Sequence, residues 1–203
     1  AVLQTSDSGF LIAGRTQDSN VEGYLVKTNS IGDTIWTNTY NCTDLTGICE
    51  TSDGYYLISG TTMSFGAGGY DMYLAKINTN GGLVWEKAYG GTGHEEAGTV
   101  VFVSNNEYVM VGITDSYGSG GYDAYLLKIN ELGDTIWTRK YGGAQDDYAN
   151  TLRKTVDGGF VFSGFTYSYG NNMEVYLVKT RADGYAGIEQ ELSGVMEFNI
   201  FPN

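Results

Sequence analysis

The sequence predicts an all-β fold, a β-propeller-like array of four-stranded antiparallel blades, with about four blades visible and the last lacking its fourth strand. Three observations predict it. The first is a repeat: Gly121 to Gly143 reads GYDAYLLKINELGDTIWTRKYGG, and Gly69 to Gly91 reads GYDMYLAKINTNGGLVWEKAYGG. Looser copies run from Gly23 to Tyr40 and from Glu174 to Gly184, the latter without the tryptophan half. Tyr24, Tyr73, Tyr125 and Tyr176 head the copies. Lys27, Lys76, Lys128 and Lys179 follow, 49, 52 and 51 residues apart, so the unit is near fifty residues. Second, each unit divides into four short segments separated by turn signals. Third, 30 glycines, 17 tyrosines and one proline among 203 residues, with 17% charged, describe a turn-rich β chain without helical pattern.

In the third unit the first segment is Thr99–Ser104, where Val100 and Phe102 alternate with Val101 and Val103. A tight turn follows at Asn105-Asn106; the same place holds Asp7-Ser8-Gly9, Asp53-Gly54 and Asp157-Gly158-Gly159, all hairpin chemistries. The second segment, Tyr108–Thr114, matches Phe10–Thr16, Tyr56–Thr62 and Phe160–Thr166. These runs are apolar on both faces, as in a strand covered on both sides. Gly14, Gly60, Gly112 and Gly164 recur inside them and mark close backbone approach. After the loop Asp115–Gly121 come the third segment, Asp123–Asn130, a turn around Gly133, and the fourth, Thr135–Tyr141. Charges on both faces of this last segment suit an edge strand. Trp36, Trp85 and Trp137 are read as packing between blades.

Four antiparallel strands per fifty residues make one propeller blade, and stacked blades cover faces that one blade leaves bare. A β-sandwich is the runner-up, and β-solenoid repeats are usually shorter. The blades are expected at about 1–44, 45–93, 94–146 and 147–184. Where the last tryptophan strand should stand, the chain reads Tyr185-Ala186-Gly187-Ile188-Glu189. Propellers often complete a last blade with a strand from the other end of the chain, so missing N-terminal blades of the same chain are expected; a closed four-blade ring is the alternative. The start at Ala1, inside a repeat and without Met, reads as a fragment of a longer protein.

The balance of 11 basic against 24 acidic residues, a net charge of −13, repels phosphate backbones and anionic lipid. Nucleic acid is therefore no expected partner, and no apolar run is long enough for membrane insertion. Nor does the sequence contain a signal peptide. Cys42 and Cys49, with six residues between them, would close a local disulfide in an oxidising compartment or stay free thiols in the cytosol.

The string carried by Thr155, Asp157, Gly158, Gly159, Phe160 and Gly164, then Asp123, Tyr125, Leu126 and Lys128, then Gly133, Asp134, Thr135, Trp137, Tyr141, Gly142 and Gly143, resembles the β-propeller repeats of secreted and surface proteins of Bacteroidota. The resemblance covers Ala1 to about Gly184. The ending Phe198-Asn199-Ile200-Phe201-Pro202-Asn203 resembles the first strand of a type IX secretion C-terminal sorting domain, so 185–203 is read as a linker and the start of such a domain. The resemblance implies export and a cell-surface location on the outer-membrane exterior. It carries no agreed biochemical activity.

Side chains that recur in every blade are expected to serve the blade. On that ground Glu22, Asp71, Asp123 and Glu174 are read as strand-start acceptors, and the four lysines as apolar stems ending in water. His94 is read as an exposed loop histidine. The loops between second and third strands and between blades are longer, and in a propeller both classes emerge on one face. That face would gather Phe65, Tyr70, Tyr117, Tyr122, Tyr167 and Tyr169 beside Glu95, Glu96, Asp146 and Asp147, the candidate ligand-binding set. Aromatics with carboxylates suit glycan binding, or Ca²⁺ held by oxygen ligands, though no EF-hand spacing occurs. No catalytic residue, metal ligand or other cofactor is assigned. The expected function is an exported, non-enzymatic module binding a glycan, protein or surface polymer. The alternatives are a propeller glycoside hydrolase or lyase using carboxylates from different blades, and a structural spacer of a large adhesin.

Overall fold

A computed structural model describes residues 1–17, 21–170 and 172–186. Every regular element among them is a strand. Blade 1 comprises β1 (Val2–Gln4), β2 (Phe10–Thr16), β3 (Glu22–Thr28) and β4 (Thr34–Tyr40). Blade 2 comprises β5 (Asp44–Glu50), β6 (Tyr56–Thr62), β7 (Asp71–Ile77) and β8 (Leu83–Tyr89). Blade 3 comprises β9 (Glu95–Ser104), β10 (Glu107–Thr114), β11 (Asp123–Ile129) and β12 (Thr135–Tyr141). Blade 4 has β13 (Asp147–Lys154), β14 (Phe160–Thr166) and β15 (Glu174–Thr180). Each sheet is an antiparallel meander with strands in chain order.

Tight turns set the meander. Asn105 and Asn106 sit at φ 51° and 58°, the conformation of a type I′ hairpin, which asparagine tolerates. The equivalent turns carry an aspartate that takes the lysine expected to end in water. Lys27 pairs with Asp7 at 2.9 Å, Lys76 with Asp53 and Lys179 with Asp157 at 2.7 Å. In blade 3 Lys128 reaches Glu107 instead, also at 2.7 Å. The lysine column is thus a clamp from third strand to first hairpin.

The first strands of successive blades lie against one another, β5 on β9 and β9 on β13, so they are the inner strands of the array. Each of these three is bulged opposite its second strand. The bulge explains the recurrent glycine: a Cβ on Gly60, Gly112 or Gly164 would strike the carbonyl oxygen of Asp44, Glu96 or Tyr148.

Three apolar clusters lie between blades. Leu11 and Leu25 of blade 1 meet Ile58, Tyr73 and Ala75 of blade 2; Leu57, Met72 and Leu74 of blade 2 meet Met110, Tyr125 and Leu127 of blade 3. Val109, Val111 and Leu126 of blade 3 meet Phe160 and Phe162 of blade 4, with Trp137 packed alongside. Hydrogen bonds stitch the outer rim: Tyr40 Oη donates to Gly81 O (2.8 Å), Tyr89 Oη to Gly133 O (2.7 Å) and Tyr141 Oη to Gly184 O. Trp36 Nε1 donates to Thr79 O (3.1 Å). The molecule is therefore a β-propeller-like array.

Among the described residues the extensive packing between blades runs from 1 to 2, 2 to 3 and 3 to 4, and none of that extent runs from 4 back to 1. Over these residues the array is a row of blades that is not closed by extensive packing. Its last sheet has three strands, and a bridge from Thr180 to Ala186 occupies the register at which Ile77–Leu83 opens the outer strand of blade 2. The expected sorting segment lies outside the described residues. Cys42 and Cys49 are free thiols. Cys42 belongs to the cluster between blades 1 and 2 and Cys49 packs on that between blades 2 and 3, so the sheet of blade 2 separates them. Burial pushes their thiols up, to about 12 and about 11.

Candidate functional site

The loops between second and third strands and those between blades do share one face, and backbone hydrogen bonds join them. Gly69 N donates to Gly93 O (3.0 Å) and Glu95 N to Tyr70 O (2.9 Å). One blade on, Asp147 N donates to Tyr122 O (2.6 Å), and Tyr122 N donates to Asp146 Oδ1 (3.0 Å). Because the link recurs, the tyrosine before the third strand of blades 2 and 3 falls beside the start of the next inner strand.

The result is a ladder of rings crossing blades 2 to 4. Tyr70 stacks on His94 at 4.3 Å between centroids, and His94 meets Tyr122 edge-on at 5.6 Å. Tyr122 lies 5.6 Å from Tyr148, which stacks on Phe165 at 4.4 Å; Tyr167 closes the row edge-on at 6.0 Å. His94, expected as an exposed loop residue, is half-buried inside this row, with Nε2 2.9 Å from Glu96 Oε1. Beyond Tyr122 the ladder opens into a groove of about 720 Å³ lined by Gly121, Ala144, Gln145, Asp146, Tyr148, Phe165 and Tyr167.

Not every expected residue reaches this surface. Glu95 and Asp147 are fully buried. Glu95 accepts from Thr114 Oγ1 (2.6 Å), Gly91 N (2.8 Å) and Ser116 N (3.2 Å). Asp147 accepts from Thr166 Oγ1, Gly143 N (2.7 Å) and Ser168 Oγ (2.6 Å). Both fasten the inter-blade loop to the loop after the second strand. Phe65 turns inward, edge-on to Tyr73 at 6.2 Å and packed on the first core cluster. Tyr117 and Tyr169 brace the inter-blade loops through hydroxyls donated to Gly90 O (2.9 Å) and Gly142 O (3.2 Å). Tyr70, Tyr122 and Tyr167 join the ladder, with Glu96 and Asp146 at its flanks.

Tyr148 and Phe165 escaped the sequence reading because they lie in strands, not loops. The available signal was alternation: buried Asp147 makes its neighbour Tyr148 face the other way.

Burial first, then the carboxylates of Asp115 and Glu96, hold the Tyr122 phenol above its ordinary range. Burial and then Asp146 do the same for Tyr148. Both therefore stay neutral hydrogen-bonding groups at physiological pH. Among the described residues no set of three or more His, Cys, Asp or Glu side chains converges to hold a metal. The surface offers ring faces, phenol hydroxyls, an amide and carboxylate acceptors, a combination suited to binding polar molecules that have flat apolar faces.

No protein-family model and no curated protein matches the sequence. Solved structures share the fold. A protein of unknown function from Bacteroides caccae superposes with a TM-score of 0.58 at 13% identity, over 90% of this chain and 58% of its own. A bifunctional GH43-CE protein from Bacteroides eggerthii superposes with a TM-score of 0.54 at 16% identity, over 93% of this chain and 26% of its own. The chain thus spans 58% and 26% of the lengths of these two structures, and the likeness is one of fold.

Proposed function

We propose that the chain is a non-enzymatic binding module whose loop-rich face holds a glycan, along the ring ladder and in the groove at its end. One observation carries this reading: Tyr148, Phe165 and Tyr167 line an open groove together with Gln145 and Asp146. Aromatic faces pack on the C–H surface of a sugar while polar neighbours take its hydroxyls, and an open groove admits a chain longer than one sugar. The negative charge of the chain disfavours anionic polysaccharides. Export to the cell exterior belongs to the same proposal and rests on the repeat resemblance.

Binding of the purified chain to a glycan array, followed by titration calorimetry on the best neutral oligosaccharide, tests it. Tyr148→Ala and Tyr167→Ala are expected to weaken binding about 10- to 100-fold, each aromatic contact being worth about 1–3 kcal/mol by analogy with base stacking. Unchanged affinity in both variants would remove the groove from the reading.

A second reading, glycoside hydrolysis, is favoured by the fold shared with the GH43-CE protein. It needs two carboxylates facing one substrate, roughly 5 to 10 Å apart. The groove lining has one, Asp146, while Glu95 and Asp147 are buried with their oxygens engaged. Release of reducing ends from a bound glycan, abolished by Asp146→Asn, would establish hydrolysis over binding.

A further inference from the structure

We propose that the groove at the end of the ring ladder prefers glycans bearing free ammonium groups, that is amino sugars without an N-acetyl cap, over their neutral counterparts. This deepens the glycan reading and rests on it. Behind it stands a segregation of charge between the two edges of the blades. In an antiparallel meander alternate connections leave opposite edges. The first hairpin of each blade and the turn between its third and fourth strands share one edge, while the ladder and groove lie at the other.

Most of the 11 basic residues are fastened to the first of these edges. The four clamp lysines hold hairpin carboxylates there. Lys87 reaches Asp134 in the next blade's turn (2.7 Å), Arg181 pairs with Asp183 (2.9 Å), and Lys154 Nζ donates to Val103 O (2.5 Å). Arg139 lies between the rings of Trp137 and Tyr185, and Arg153 Nη1 donates to Leu152 O (2.8 Å). Arg15 acts on Asp44 and Lys140 on buried Asp123, and no Lys or Arg lines the groove.

The binding edge therefore keeps carboxylates without counter-ions. After burial, the groups that act on the Tyr122 phenol are Asp115, Glu96, Asp146 and Glu95, all negative. Asp146 and Glu96 act on Tyr148 in the same sense. His94 is the one histidine of this edge, and Glu96 Oε1 holds it at 2.9 Å. Asp146 is fixed at the groove wall: its Oδ1 accepts from Tyr122 N (3.0 Å), and Gly121 leaves it room, since a Cβ there would strike that oxygen. Tyr148, Phe165 and Tyr167 line the groove beside it. Ring faces attract a cation, and a neighbouring carboxylate adds a charge-assisted hydrogen bond, so an ammonium group gains from both. An acetamide in its place gains neither. At a half-open surface each contribution is modest, and together they amount to about tenfold in affinity.

Titration calorimetry on the full chain at about pH 6, where a sugar ammonium is charged, compares a glucosamine oligomer with its N-acetylated counterpart of equal length. The glucosamine oligomer is expected to bind about tenfold tighter. In about 0.5 M salt the advantage should shrink. Asp146→Asn keeps the oxygen that Tyr122 N needs and removes the charge, so the ratio of the two affinities should fall to within about threefold. Asp33→Asn, at an exposed aspartate in a turn of the opposite edge, changes the net charge equally and should leave the ratio in place. Oligolysine of matching charge should bind more weakly than the glucosamine oligomer, because it has no sugar faces for the rings. Equal affinities for the two oligomers, or a ratio untouched by both salt and Asp146→Asn, would overturn the ammonium preference and leave the glycan reading standing. Oligolysine bound as tightly as glucosamine would also overturn it, since charge alone would then suffice. Silence from both oligomers and from every glycan on an array would take down the glycan reading and this inference together.

Discussion

Leu74 and Leu177 stand at the same position of the same repeat, one after the heading tyrosine on the third strand. Leu74 is 0% exposed between blades 2 and 3; Leu177 is 54% exposed on the free face of blade 4. The inner blades thus bury what the end blades show, although their local sequences and strand pairings are alike. Burial here comes from stacking and not from the sheet itself, which is how quasi-one-dimensional repeats gain stability: each unit contributes its own term and one for each neighbour.

The comparison can be broken most directly at those two leucines. Leu74→Ala is expected to cost about 2–5 kcal/mol in urea unfolding, the range for a buried leucine. Leu177→Ala should stay within about 0.5 kcal/mol, as for an exposed site. Equal losses would mean that the free face is covered in solution. Glycine offers a second, smaller contrast. Gly112→Ala places a methyl against the Glu96 carbonyl and should destabilise by about 1–3 kcal/mol, the cost of overpacking. Gly14→Ala, in open space, should be neutral or slightly stabilising.

The hairpin clamp supplies the smallest effect. Hydrogen bonds from Thr5 and Lys27 hold Asp7 at about 2, below its ordinary range. A carboxylate with a depressed folded pKa stabilises above its unfolded value and loses that contribution as pH falls through the folded one. Stability should therefore decline between about pH 4 and pH 2, and the decline should be shallower in Asp7→Asn. The carboxylate is more than half exposed, so water screens much of the interaction. An unchanged acid limb in the variant would remove Asp7 from that loss.

Much of the fold was legible because its signals are local. Hairpin turns such as Asn105-Asn106, alternation along each segment and the recurring Tyr-x-x-Lys phrase mark strand order without reference to anything distant. The candidate site was legible in half. Loop class gathers Tyr70, Tyr122 and Tyr167 on one face, since the two loop families leave the same edge of a sheet, and their rings lie in one row. Which way each side chain turned was not readable. Glu95 and Glu96 are adjacent in sequence, yet the pleat sends the first into the blade junction and the second to the surface. Phe65 turns inward and packs on the first core cluster, a contact with residues of another strand that loop class does not encode, and Tyr148 and Phe165 entered from strands that loop reasoning does not inspect. The lysine column had its partner on another hairpin about twenty residues away, a pairing visible only once the strands are laid side by side.

The chain's own residues determined the blade: strand periods, turn positions and the glycines where backbones approach are encoded within fifty residues and repeated. Only the tertiary structure decided what each face of a blade meets. An apolar column has the same sequence whether a neighbour covers it or water does, and the ring ladder exists because the three stacked sheets of blades 2 to 4 bring residues distant in sequence together.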